Sequence, residues 1–258
     1  MRKRFVSGVL VVAMVCMTAG CGKKTADIIE AYSEEASVAG ASRDYVEEEA
    51  VADDTKEAEI AEPKLPDIDV ELYDDPEAYT IKSIKAIAEE YAPDLDVTGC
   101  DTFTQIIDNR FTTGMGYANE NILDEDVFFV SSATFTYEEN LEGATDAALY
   151  IYKDDEPYPY EIGKVISGGT AYPLTLYKGY LYTASNRWIC KYAVSDHKLR
   201  IMEKASVCYG PEETEYYFYE SEDGGDYSNF GSDEAKAIYD KLFEEMANGT
   251  MIPFSTVR

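Results

Sequence analysis

Tyr177-Lys178-Gly179-Tyr180-Leu181-Tyr182-Thr183-Ala184 is followed by Trp188-Ile189-Cys190-Lys191-Tyr192-Ala193-Val194 and then by Lys198-Leu199-Arg200-Ile201. These runs decide the fold. They are rich in Tyr, Val and Ile and are bounded by turn residues, which is how strands read. Lys178-Gly179 and Ser195-Asp196-His197 are hairpin-like turns, so Tyr172–Tyr177, Tyr180–Ala184, Arg187–Val194 and Lys198–Val207 are expected as successive strands. The same pattern extends outward in both directions. Val127–Tyr137, Ala147–Lys153 and Tyr158–Ser167 precede these strands, and Thr214–Ser221 follows. No helix intervenes, so the run is expected as a single curved antiparallel meander.

Helical spacing flanks the strands. Glu77 to Tyr91 sets Ile81, Ile84, Ile87, Ala88 and Tyr91 on one side, with Pro76 at the start and Pro93 at the end. A short helix over Thr102–Asn109, capped by Asp101, follows. Thr113–Tyr117 reads as a loop with two glycines. At the other end Ser232 caps a helix to about Ala247, whose apolar face is Ile238, Leu242, Phe243 and Met246; Asn248-Gly249 stops it. The class is α+β: N-terminal helices, an antiparallel Tyr-rich β-meander sheet, and a C-terminal packing helix over residues 76–258.

The first 75 residues differ in kind. Met1-Arg2-Lys3-Arg4 precedes an apolar run from Phe5 to Met17, too short for the ~20 residues that span a bilayer but fitting the leader of a signal peptide over residues 1–20. From Gly22 to about Asp75 the chain is crowded with Glu, Asp, Ala and Ser, as in Val46-Glu47-Glu48-Glu49-Ala50. Such a stretch is expected to stay unfolded, because it has too little apolar surface to offset its ordering entropy. As a tether, residues 21–75 would reach ~40 Å as a coil and ~180 Å fully extended.

Charge narrows the partners. The 258 residues hold 51 Asp and Glu against 22 Lys and Arg, a formal net charge of −29. That field repels phosphate backbones, so nucleic acid is excluded as a partner. The 45% hydrophobic content is enough for a real core. Five cysteines include Cys16 in the leader and Cys21. The remaining three, Cys100, Cys190 and Cys208, are an odd set, read as buried thiols. With Arg187–Val194 and Lys198–Val207 as a hairpin, Cys190 is expected opposite roughly Met202, too far from Cys208 for a bridge.

No catalytic motif stands out, and no cofactor or metal site is expected. The lone histidine, His197, falls in a turn and is read as exposed, which removes Ser-His-Asp and Cys-His chemistry. Carboxylates such as Glu138 with Glu139, Glu161, or Glu212 with Glu213 could support glycoside cleavage if paired in a cleft. The acidic loops 222–226 and 124–126 lack the ligand spacing of a calcium loop. The least generic feature is aromatic: of 22 tyrosines and one tryptophan, Tyr177, Tyr180, Tyr182, Trp188 and Tyr192 gather around two hairpins. Exposed, they would form a stacking platform for a glycan or protein; otherwise they fill the inner face of the sheet.

Thr18-Ala19-Gly20-Cys21 resembles the lipobox of bacterial lipoprotein precursors, with Thr18 where Leu is usual. The resemblance implies cleavage after Gly20, lipid on Cys21 and anchoring on the outer face of a membrane. Gly168–Leu174 and Lys178–Tyr182, together with the acidic tether, resemble uncharacterised surface lipoproteins of anaerobic Gram-positive bacteria. That resemblance implies surface display and no established activity. Two functions are therefore expected from the sequence. One is a lipid-anchored module that binds an extracellular protein or glycan; the other is a carboxylate-dependent hydrolase acting on polysaccharide.

Overall fold

The computed structural model describes residues 71–138, 140–153, 158–222 and 233–258. The leader, Cys21, the tether up to residue 70, Glu139, most of the 222–226 loop and the Ser232 cap lie outside the described residues.

The first expected helix is two pieces. A single 3-10 turn, Pro76–Tyr79, begins at Asp75, whose carboxylate accepts from the Glu77 N–H at 3.0 Å. Thr80 then stays extended, and its hydroxyl accepts from the Ser83 N–H at 3.2 Å to cap α1 (Ile81–Tyr91). A side chain that satisfies helical N–H groups best sits at the cap, so it divides the run. α1 buries Ile84 and Ala88, while Ile87 and Tyr91 face solvent. α2 (Phe103–Arg110) is capped by Thr102 rather than Asp101, and the Gln105 side chain reaches back to the Asp101 N–H.

The class is α+β as read, but the strands form two large antiparallel sheets and a ribbon instead of one sheet. The first sheet holds β1 (Gly116–Ile122), β2 (Glu125–Ser131), β5 (Asp146–Ile151), β6 (Tyr160–Ile166) and β13 (Ser255–Thr256) in the order β13-β1-β2-β5-β6. The ribbon pairs β3 (Phe135–Glu138) with β4 (Leu141–Gly143). The second sheet runs β11-β10-β9-β8-β7-β12, with β7 (Thr175–Tyr177), β8 (Tyr180–Ala184), β9 (Trp188–Ser195), β10 (Lys198–Tyr209), β11 (Glu215–Glu220) and β12 (Thr250–Met251). The chain passes between sheets after β6. There the Ser167 N–H donates to Thr145 O and the Gly168 N–H to Ala184 O. A β-carbon on Gly168 would lie 2.4 Å from Ser185 Cβ, so this crossing needs a glycine.

The strand expected over Val127–Tyr137 breaks at Ser132, where the Asp146 carboxylate draws off its N–H at 2.9 Å. In β10 a bulge at Met202 shifts the register, so Cys190 faces Lys204 and not Met202. Cys100, Cys190 and Cys208 are buried and free.

The core lies between the sheets. Phe129, Leu149, Ile151 and Val165 of the first sheet pack with Leu181, Trp188, Cys190, Tyr192 and Ile201 of the second. Each sheet is covered on its far side as well. α2 seats Ile106 and Phe103 on Phe128, Val130 and Tyr150 of the first sheet, with the Phe103 and Phe128 rings 4.5 Å apart. α3 (Asp233–Ala247) lays Leu242, Ile238 and Phe243 on Tyr182, Ile189 and Ala205 of the second. After α3 the tail joins all three sheets: β12 pairs with β7, the Phe254 N–H donates to Glu142 O in β4, and β13 pairs with β1.

Candidate binding cleft

The five aromatic residues expected to form one surface are divided between two interiors. Trp188 and Tyr192 point into the core between the sheets, 7% and 3% exposed. Tyr182 points the other way, fully buried beneath α3. Tyr177 and Tyr180 are half-buried beside it. No joint platform results. The physical reason is that this sheet is covered on both faces, so alternation along its strands leads to one interior or the other.

Tyr180 and Tyr182 are also engaged electrostatically. Lys191 Nζ lies 4.4 Å from the Tyr180 ring centroid and 3.3 Å from carboxylate oxygens of both Glu203 and Glu245. The Tyr182 hydroxyl donates to Glu245 at 2.7 Å. Burial pushes the Glu245 carboxyl up, but the Tyr182 hydroxyl and the Lys191 ammonium outweigh it and hold the group below its ordinary value. Lys241 joins Glu203 at 3.2 Å, so the network ties α3 to β8, β9 and β10. It is a structural clamp.

The carboxylates are scattered. Glu161 shares a partly buried cluster with Tyr150, whose hydroxyl donates to it at 3.3 Å, and with Lys164, paired to Glu89 at 3.2 Å. Burial raises the Glu161 carboxyl; Lys164 opposes that and Glu89 adds to it. Glu212 and Glu213 are exposed on a turn, both with positive φ. The Glu138 and Glu139 side chains lie outside the described residues. His197 is exposed in its turn, where its carbonyl accepts from the Tyr160 hydroxyl.

The cleft lies elsewhere, at the far edge of the second sheet. It encloses about 560 Å³. The ribbon lines it with Tyr137 and Leu141, and the end of α3 lines it with Phe243, Met246 and Ala247. Tyr172, Pro173 and Thr175 also line it, with Thr250, Met251 and Pro253 of the tail. Tyr172 and Phe243 meet edge to face at 6.2 Å, and Phe243 rests against Tyr239 at 4.8 Å, so the α3 wall is rigidly packed. Tyr137 and Leu141 are 48% and 41% exposed, among the largest exposed apolar side chains described.

None of the described lining residues carries a charge. That contrasts with the rest of the folded region, where 36 acidic residues stand against 14 basic from Glu71 onward. The size falls within the usual range for a ligand site, and the lining of rings, thioethers and prolines with a few hydroxyls suits an apolar guest. Sequence reading missed this place because its residues are far apart in the chain. Phe243 and Met246 read as helix face, Tyr172 as strand, and Leu141 falls in an acidic stretch. The one available signal is Tyr137 and Leu141 flanking a tight turn.

Among the described residues no helix is long and apolar enough to cross a membrane. No family model, curated protein or solved structure matches the chain, so its function is read from its own geometry.

Proposed function

We propose that this protein is a lipid-anchored binding module that captures a polypeptide outside the cell in the cleft between the β3–β4 ribbon and α3. The observation that carries the reading is an uncharged, aromatic cleft in a protein otherwise dominated by carboxylates. A glycan would need convergent donors and acceptors beside a stacking ring. This lining offers apolar side chains and hydroxyls of Tyr and Thr, which favours apolar side chains of a protein partner. Lipid on Cys21 would hold the module at the membrane, and the acidic segment to residue 70 would set it away from the surface.

The test uses the secreted Cys21→Ser protein on paired peptide and glycan arrays. The expected result is peptide binding that falls at least tenfold in Tyr137→Ala and Leu141→Ala, both at exposed positions, with the melting temperature of each variant measured alongside. Glycan binding with no peptide binding, or peptide binding indifferent to both changes, overturns the reading. For the anchor, Cys21→Ser should release the protein into the medium; retention on the cell contradicts lipid on that residue.

A further inference from the structure

The charge pattern goes one step beyond the reading above, on which this inference rests: we infer that the polypeptide taken by the cleft is cationic, with apolar anchors inserted and Lys or Arg on either side. The inserted part is fixed by the lining. A charged side chain buried against Phe243, Met246, Tyr172 and Leu141 would lose its hydration with no opposite charge among the described lining residues to compensate. The flanks are fixed by what surrounds the cleft. Beyond the lining, the folded region has a large excess of carboxylates, and more than half of its 14 Lys and Arg side chains are ion-paired. Lys85, Lys164, Lys191, Lys204, Lys236 and Lys241 each pair with a carboxylate of the same chain, as do Arg187 and Arg200. The field outside the cleft is therefore negative, and it draws in positive chains and repels acidic ones.

Two features of the walls fit such a guest. Met246 and Met251 are unbranched and adjust to side chains of different shape, so the cleft selects apolar character more than one sequence. Tyr137 and Leu141 line the cleft yet stay exposed, so an incoming apolar residue can reach them.

The experiment screens the secreted Cys21→Ser protein against an array of random twelve-residue peptides. Hits are re-measured in solution with Leu141→Lys and Leu141→Glu, which place opposite charges on the same exposed wall. The expected hits combine two or more apolar residues with net positive charge. Their affinity should fall roughly tenfold between ~0.05 M and ~0.5 M salt. Leu141→Lys should weaken them at least tenfold more than Leu141→Glu. Hits that are neutral or acidic, with the two variants equal, overturn the cationic specificity while leaving the cleft as a peptide site. Hits indifferent to both variants, or no hits at all, overturn the cleft reading itself.

Discussion

Lys204 and Glu220 face each other directly across β10 and β11, and the Lys204 ammonium lies 2.8 Å from the Glu220 carboxylate with both side chains at most 5% exposed. The pair ends a polar row. Thr183 faces Cys190, Cys190 faces Lys204, and Lys204 faces Glu220 on four consecutive strands. Lys204 also donates to Ser206 at 2.9 Å, and Glu220 accepts the Ile81 N–H at 3.0 Å. The carboxylate thus sits at the positive end of α1 and fastens that helix to the second sheet.

Breaking this pair from one side strands a buried charge. Lys204→Met and Glu220→Leu should each cost about 3–5 kcal/mol, while the double variant should cost clearly less than their sum. Denaturant unfolding of the four proteins tests this. Additive losses would mean the two groups do not depend on each other.

The β7–β8 turn supplies a smaller effect of opposite sign. Lys178 and Gly179 both have positive φ, 50° and 80°, in a two-residue hairpin turn for which Asn-Gly is the favoured pair. Lys178→Asn should stabilise by ~0.5 kcal/mol. Gly179→Ala should destabilise by at least ~1 kcal/mol. A β-carbon there would lie 3.3 Å from the Leu123 backbone, whose N–H donates to Gly179 O. Thermal melts showing the reverse order would contradict the turn assignment.

Glu161 sets a pH dependence. Burial keeps its carboxyl above the ordinary value in the folded chain, so the folded state holds that proton more tightly than the unfolded state. Its contribution favours folding in acid and is lost as pH rises through the raised value. Glu161→Gln removes that loss. The difference in melting temperature, variant minus wild type, should therefore be more positive at about pH 7 than at about pH 4. A difference that shrinks toward neutral pH would reverse the sign argued here.

Burial pushes the Cys190 and Cys208 thiols up to about 12. Both should resist a thiol reagent at mildly alkaline pH in the native Cys21→Ser protein and react within seconds to minutes once it is unfolded. Mass-resolved labelling reads each site; rapid native modification of either would place it nearer solvent than the fold does.

Much of this fold was legible because local patterns and tertiary structure agree. Tyr180–Ala184 is a strand with the bounds read from sequence, and Phe243 and Leu242 lie on the packed side of α3. The failures share one cause: long-range pairing has no local signature. The Thr113–Tyr117 loop reading overlaps the start of β1, and Asn119-Glu120-Asn121 carries no strand pattern, yet β1 pairs along its whole length with β2. β12 and β13 are two residues each and exist only because β7 and β1 lie beside them. The division into two sheets, the burial of Tyr182 and Trp188 on opposite faces, and the cleft all follow from that pairing. Tyrosine content alone could not separate a buried ring from an exposed one, because Tyr suits both sites.

Methionine methyl NMR tests directly whether the cleft binds peptide. The protein is labelled at methionine and titrated with the tightest peptide from the random array. Met246 and Met251 line the cleft, whereas Met115 packs under α2 and Met202 forms the β10 bulge, so the latter two serve as internal references. The predicted result is shifts at Met246 and Met251 that saturate with the peptide, with Met115 and Met202 unmoved. Saturable binding that leaves Met246 and Met251 unshifted would contradict the cleft as the binding site.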